Sequence, residues 1–193
     1  MLSILAGIMI AVGGTVYLTV GGPVGTFLFS MGLLTILSLR LELFTGKAGL
    51  LATREMGFGK LTEIWIGNFL GTWLTSFALS FTPMALELSE KATKIVSTKL
   101  NYGFSTNLIY GVMCGILMFM AVKTWMVMAG LPLYAMMPVA IFILCGFNHC
   151  VADMFYLHMS QAPLNDFSIL IPITIGNIIG CNVLPFGLAK ANS

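Results

Sequence analysis

Two short stretches concentrate the reactive side chains of this chain. One reads LELFTGKAG (41–49), the other CGFNHCVADM (145–154). Each sets hydroxyl, imidazole, amide or charged groups inside a long apolar run and carries an internal glycine. His149 carries the most chemistry. An imidazole with an unperturbed pKa of about 6.5 can exchange a proton with a weak acid near neutrality. Within an apolar run it is costly unless partnered or used. It is therefore either a packed histidine bonding across helices or a proton-accessible group lining a path, and the flanking Gly146 and Asn148 favour the second reading. Asp153 stands one helical turn further on, able to orient His149 or to bond freed backbone. Lining a path it would repel anions, so a supporting role beside Asn148 is expected. Thr45, followed by Gly46, offers a hydroxyl that caps a helix start or faces a solute. Lys47, just beyond, either snorkels to water or adds positive potential at a mouth. Arg40 and Glu42 do not share a helix face and can pair only if the helix opens there, unless one of them meets another subunit.

Other chemistries find little support. There is no HExxH motif and no Cys/His ligand spacing, so no metal and no cofactor are expected. Cys114, Cys145, Cys150 and Cys181 all fall in apolar segments without a CxxC unit and read as reduced thiols acting as small hydrophobes. A catalytic dyad of His149 with Asp153 lacks a nucleophile, because Cys150 is adjacent in sequence and faces another way. No basic stripe points to nucleic acid.

The elements that hold these residues are membrane spans. The chain is 58% hydrophobic and 8% charged, with mean hydropathy +0.98, against roughly 25% charged in a soluble domain. That makes it an integral membrane protein. The fourteen methionines read as core filler. Runs of spanning length fall at about 3–20, 24–45, 61–84, 104–129, 133–158 and 168–189. The opening MLSILAGIMIAVGG lacks a basic n-region and reads as a retained first span. The polar interval 85–103 is long enough for a short interfacial helix. No room is left for a soluble catalytic domain, so an enzyme is not expected. Lys47, Arg54, Lys60, Lys123 and Lys190 fall on one side and Lys91, Lys94 and Lys99 on the other, which puts both termini in the cytoplasm.

The two polar stretches recur at matching places. LFTG interrupts span 2 and GFNHC interrupts span 5. GNFLG (67–71) follows in span 3 and GNIIG (176–180) in span 6. Three spans separate the copies, so the second enters from the opposite side. The expected fold is an all-α membrane protein: one transmembrane domain over 1–193, with six transmembrane helices as an inverted 3+3 repeat (halves about 1–84 and 104–193) and helices 2 and 5 broken. Broken helices leave backbone groups unpaired at membrane depth, tolerated only in a protein interior or along a wet cavity. The half-helix N-termini favour anions, and a candidate anion site lies between Thr45 and His149. Asn68 and Asn177 are expected to bond freed backbone at the break of the opposite repeat.

These residues carry a resemblance. ELFTG (42–46) and GFNHCVADM (146–154), with AGIMIAVGG (6–14), GNFLG and IPITIGNIIG (171–180) in order, resemble the formate/nitrite transporter family over nearly the whole chain. The resemblance implies an aquaporin-like fold with one pore per subunit. It also implies a homopentamer whose central opening is not the transport route, and the cell inner membrane as location. Solutes in the family are formate, nitrite, hydrosulfide or lactate. Thr45 and His149 correspond to its central pair, Phe29 and Phe142 to its outer constriction, and Leu33, Leu43 and Phe44 to its inner one. Such apolar groups can also be read without the family, as a dry gate against hydrated ions. Lys99 corresponds to a basic residue of the outer vestibule. Asn148 stands where many members have Glu, Asp153 where many have Asn, and Lys47 where Asn is common. The family's usual cytoplasmic helix before span 1 has no counterpart here, so an N-terminally short member is expected.

The partners implied are a small monovalent anion, a proton, the lipid bilayer and further copies of the chain. Dehydrating a full charge between apolar rings costs several kcal/mol, of the order of about 5. The least costly route neutralises the anion with a proton from His149, or from water it organises, while Thr45 orients the solute. An aquaporin-like pore for neutral solutes predicts Asn-Pro-Ala motifs, which do not occur. A non-conducting scaffold predicts no polar groups at this depth.

Overall fold

A computed structural model describes residues 1–128 and 131–191. Ala129, the expected end of the fourth span, lies outside them, as does the side chain of Lys190. The helices are α1 (Leu2–Val20), α2 (Gly22–Ser38), α3 (Phe44–Ala48), α4 (Phe58–Leu79), α5 (Ala85–Asn101), α6 (Gly103–Val127), α7 (Pro132–Leu144), α8 (Cys150–Met159) and α9 (Leu170–Ala191). Among the described residues there is no strand. Segments Leu2–Val20, Gly103–Val127 and Leu164–Leu188 are each long and apolar enough to cross a membrane.

Helix ends follow local chemistry. Gly21 adopts φ 66°, a left-handed value that suits glycine, and the helix restarts at once with Pro23 in its first turn. α4 stops at Leu79, earlier than the apolar run suggests, because Ser80, Thr82 and Pro83 close it in a turn. The interval read as a short interfacial helix is α5, seventeen residues long, whose stripe Leu88, Ala92 and Val96 packs into the molecule, mainly against α8.

Two helix pairs form the tightest contacts, α1 with α4 and α6 with α9. Glycine makes both possible. A Cβ at Gly180 would collide with the backbone carbonyl of Val112, and one at Gly71 with the carbonyl of Ile4. Backbones meet there without side chains between them, as expected where helices associate in lipid by close packing. α8 lies at the centre, with every residue except His158 buried.

Candidate functional site

α2 ends at Ser38. Leu41 N–H reaches back to Ile36 O (2.9 Å) and Arg40 takes the left-handed φ of 54°. The chain is extended at Leu43 and re-enters helix at Phe44. α7 ends at Leu144 in the same manner. Phe147 N–H donates to Phe142 O (2.9 Å), Gly146 takes φ 71°, and helix resumes at Cys150.

An asparagine on the next long helix holds each restart. Asn68 Oδ1 accepts from Phe44 N–H (2.8 Å), and its Nδ2 donates to Ser3 O (2.7 Å) and Glu42 O (2.9 Å). Asn177 Oδ1 accepts from Cys150 N–H (2.9 Å), and its Nδ2 donates to Gly111 O and Asn148 O (both 2.8 Å). This corrects one expectation. Each asparagine bonds the interruption just before it in its own half of the chain. α4 and α9 fold back beside the short helices that precede them, and their glycines let α4 close on α1 and α9 on α6, which brings the Ser3 and Gly111 carbonyls within reach of the two amides.

The two restarts bring Thr45 and His149 together. Thr45 Oγ1 and His149 Nε2 are 2.8 Å apart, at 1% and 2% exposure. The room expected between them is thus closed by a direct hydrogen bond. Thr45 does not cap α3; His149 caps α8, its Nδ1 accepting from Ala152 N–H at 3.2 Å. That bond leaves the ring hydrogen of a neutral imidazole on Nε2, where it donates to Thr45. A proton on Nδ1 would break the cap. Cys181 contributes more than bulk, its single S–H lying 3.3 Å from both Thr45 O and Gly115 O and able to donate to either.

Apolar rings surround the pair. Phe142 stacks on the His149 ring at 5.4 Å and 11°, and Phe29 meets Phe142 edge-on at 6.4 Å. Phe29, Phe142 and His149 line a cavity of about 300 Å³ that also holds Lys99, Lys94 and Asp153. Leu33, one helical turn beyond Phe29, and Leu43 line a second cavity of about 550 Å³ with Arg40 and Lys47. Phe44 does not join them. It is buried and faces α4 and α9 through Leu61, Trp65 and Ile178.

The remaining polar residues find different partners from those considered. Asp153 is ion-paired with Lys99, across from α5, and does not bond His149. Glu42 lies 4.0 Å from Lys60, so it does not pair with Arg40. Asn148 donates to Asn107 Oδ1 (2.8 Å), and Asn107 donates to Lys99 O (2.8 Å) and Gly103 O (2.9 Å). Sequence reasoning missed Asn107 and Asn182, which accepts from Ala52 N–H and donates to Ala48 O at the end of α3. The available signal was a lone amide within an apolar span. Among the described residues, Asn148 Oδ1 and Asp153 Oδ2 are buried without a protein partner, and no cluster of His, Cys, Asp or Glu is suited to a metal.

The chain is similar to known channels along its length. Formate channel FocA of Haemophilus influenzae is 27% identical over 198 residues, covering 81% of this chain and 69% of the relative. Formate channel FocA of Escherichia coli K12 is 26% identical, covering 95% and 82%. Among solved structures, a pentameric formate channel with formate bound superposes with a TM-score of 0.83 at 26% identity, covering 99% of this chain and 94% of that one. An FNT family ion channel at 22% identity shares the fold, with a TM-score of 0.81. The family model described as Formate/nitrite transporter matches residues 1–190, and the chain belongs to that family.

Proposed function

We propose that this integral membrane protein is a channel for small monovalent anions of weak acids, with formate, nitrite and hydrosulfide as candidate solutes, passed in neutral, protonated form. The observation that carries the reading is the His149–Thr45 hydrogen bond of 2.8 Å, made at the starts of two interior helices and bordered by Phe and Leu side chains. Lysine-bearing cavities lie to either side, one with Lys99 and one with Lys47. The similarity to formate channels supports the solute class.

In this reading Lys47 and the exposed Lys94 raise the anion concentration at the two mouths. Phe29 with Phe142, and Leu33 with Leu43, exclude hydrated ions. The neutral acid displaces the Thr45 hydroxyl from His149 and bonds both, one oxygen accepting from the Nε2 hydrogen while its own acidic hydrogen is donated to Thr45 Oγ1. Asn68 and Asn177 hold the backbone around that point, and Asn148 ties it to Asn107 on α6. The paired packing of α1 with α4 and α6 with α9, with an asparagine at each restart, supports six spans in an inverted 3+3 repeat, with the second and fifth helices broken in aquaporin-like fashion. The chain then acts as one transmembrane domain, assembles as a homopentamer in the cell inner membrane, and keeps both termini in the cytoplasm.

The test is uptake of formate, nitrite and hydrosulfide into proteoliposomes between about pH 5 and about pH 8, comparing the native chain with His149→Ala. Selective, pH-dependent flux lost in the variant supports the reading. Equal flux in both removes His149 from the mechanism. No flux from folded native protein overturns the channel assignment.

A further inference from the structure

The Lys99 cavity has a charge arrangement that the proposed function does not use. Lys99 sits on α5 with a side chain 12% exposed, and its ammonium is paired with Oδ1 of Asp153, which is 2% exposed. Oδ2 of the same carboxylate is buried without a protein partner. Both residues line the 300 Å³ cavity, on which His149, Phe29 and Phe142 also open. Among the described residues no other carboxylate lines it.

Two consequences follow from elementary electrostatics. The cation closest to the constriction is already neutralised, so an arriving anion gains little from Lys99 and meets the carboxylate beside it. The remaining acceptor, Oδ2, carries a desolvation cost that only a hydrogen-bond donor relieves. Lys94 is the other cation on the cavity and is exposed. The titratable groups around Asp153 are Tyr17 from α1, Tyr102 at the end of α5, Tyr156 on α8 and His149 at its N-cap.

We infer that Asp153 reads the proton of the permeating acid: its free carboxylate oxygen accepts the O–H or S–H of the neutral solute, so the Lys99 cavity selects the protonated acid over its anion. This rests on the channel reading and locates a selection step in it. No proton changes hands there. A formic acid molecule donates its O–H to Oδ2 and presents its carbonyl oxygen to the ammonium of Lys99. The acid then reaches the Phe29–Phe142 rings uncharged.

The experiment measures formate uptake by the full chain in proteoliposomes, with perchlorate as an anion that stays unprotonated. In the native protein the rate is expected to follow the formic acid concentration, falling about tenfold for each pH unit above the solute pKa, and equimolar perchlorate leaves it unchanged. Asp153→Asn frees the Lys99 charge in a side chain of nearly the same shape. Half-saturating total formate is then expected to fall at least tenfold, and perchlorate to inhibit competitively. Competitive inhibition of the native protein by perchlorate overturns the inference without needing the variant, as does an Asp153→Asn profile that superposes on the native one. No uptake of any candidate solute by folded native protein overturns the channel reading and this inference together. Native uptake that depends on His149 yet competes with perchlorate overturns only this inference.

Discussion

Replacing Asn177 by alanine removes three buried hydrogen bonds in one step. The amide accepts from Cys150 N–H at 2.9 Å and donates to Gly111 O and Asn148 O at 2.8 Å, with the side chain fully buried. The alanine leaves one backbone donor and two carbonyls without that partner, all at buried residues. At about 1 kcal/mol for each lost bond the substitution costs about 3 kcal/mol. The smaller average found for interhelical side-chain bonds in membranes, about 0.6 kcal/mol, sets a lower edge near about 2 kcal/mol. The assay is denaturation of the detergent-purified protein, followed by loss of helix. Asn68→Ala is the internal comparison. It orphans the same complement, one N–H at Phe44 and two carbonyls at Ser3 and Glu42, and should cost the same. A loss below about 1 kcal/mol for Asn177→Ala would refute the claim that these amides hold the restarts. So would a large effect at one asparagine and none at the other.

Three further outcomes are expected. Gly180→Ala drives a methyl into the Val112 carbonyl and forces α6 and α9 apart, so it should destabilise by about 1–3 kcal/mol, while Gly59→Ala, with nothing near its Cβ, should not; thermal melts of both decide. His149→Asn keeps a good N-cap for Ala152 N–H but loses the buried bond to Thr45 and the ring stacked on Phe142, so it should cost about 1–3 kcal/mol; His149→Leu loses the cap as well and should cost about 1 kcal/mol more, and uptake falls at least about tenfold in both. Lys60→Ala removes contacts to Glu63 at 3.2 Å and Glu42 at 4.0 Å from a side chain half in solvent, and denaturation should shift by less than about 0.5 kcal/mol.

What could be read from the sequence was local. Gly146 with Asn148 marks a place where an apolar helix is hard to continue, and α7 ends just before it, at Leu144, whereas Thr45 and Gly46 fall inside α3, past a break at 39–43. His149 and Thr45 stood out because polar groups are expensive there, and they meet across 104 residues. What could not be read depends on orientation across helices. Phe44 and Leu43 are neighbours in sequence but face different cavities, because helix begins between them and turns the second side chain away. Asp153 pairs with Lys99, a partner 54 residues earlier on a helix whose amphipathic stripe gives no hint of which neighbour it packs on. The asparagines were recognised as backbone partners but assigned to the wrong half. The matched sequence phrases suggested an exchange between halves, and the chain reversal between α3 and α4 favours the nearer break.

The shortness of α8 bears on how the chain is made. Ten helical residues span about 15 Å, half the thickness of a bilayer's hydrocarbon core. α8 cannot be inserted alone, because the freed N–H of Cys150 and carbonyl of Asn148 find their partner only in Asn177, which lies on α9 and is synthesised later. The bonds that tie down the start of α8 beside the central histidine therefore form only once α9 is in place.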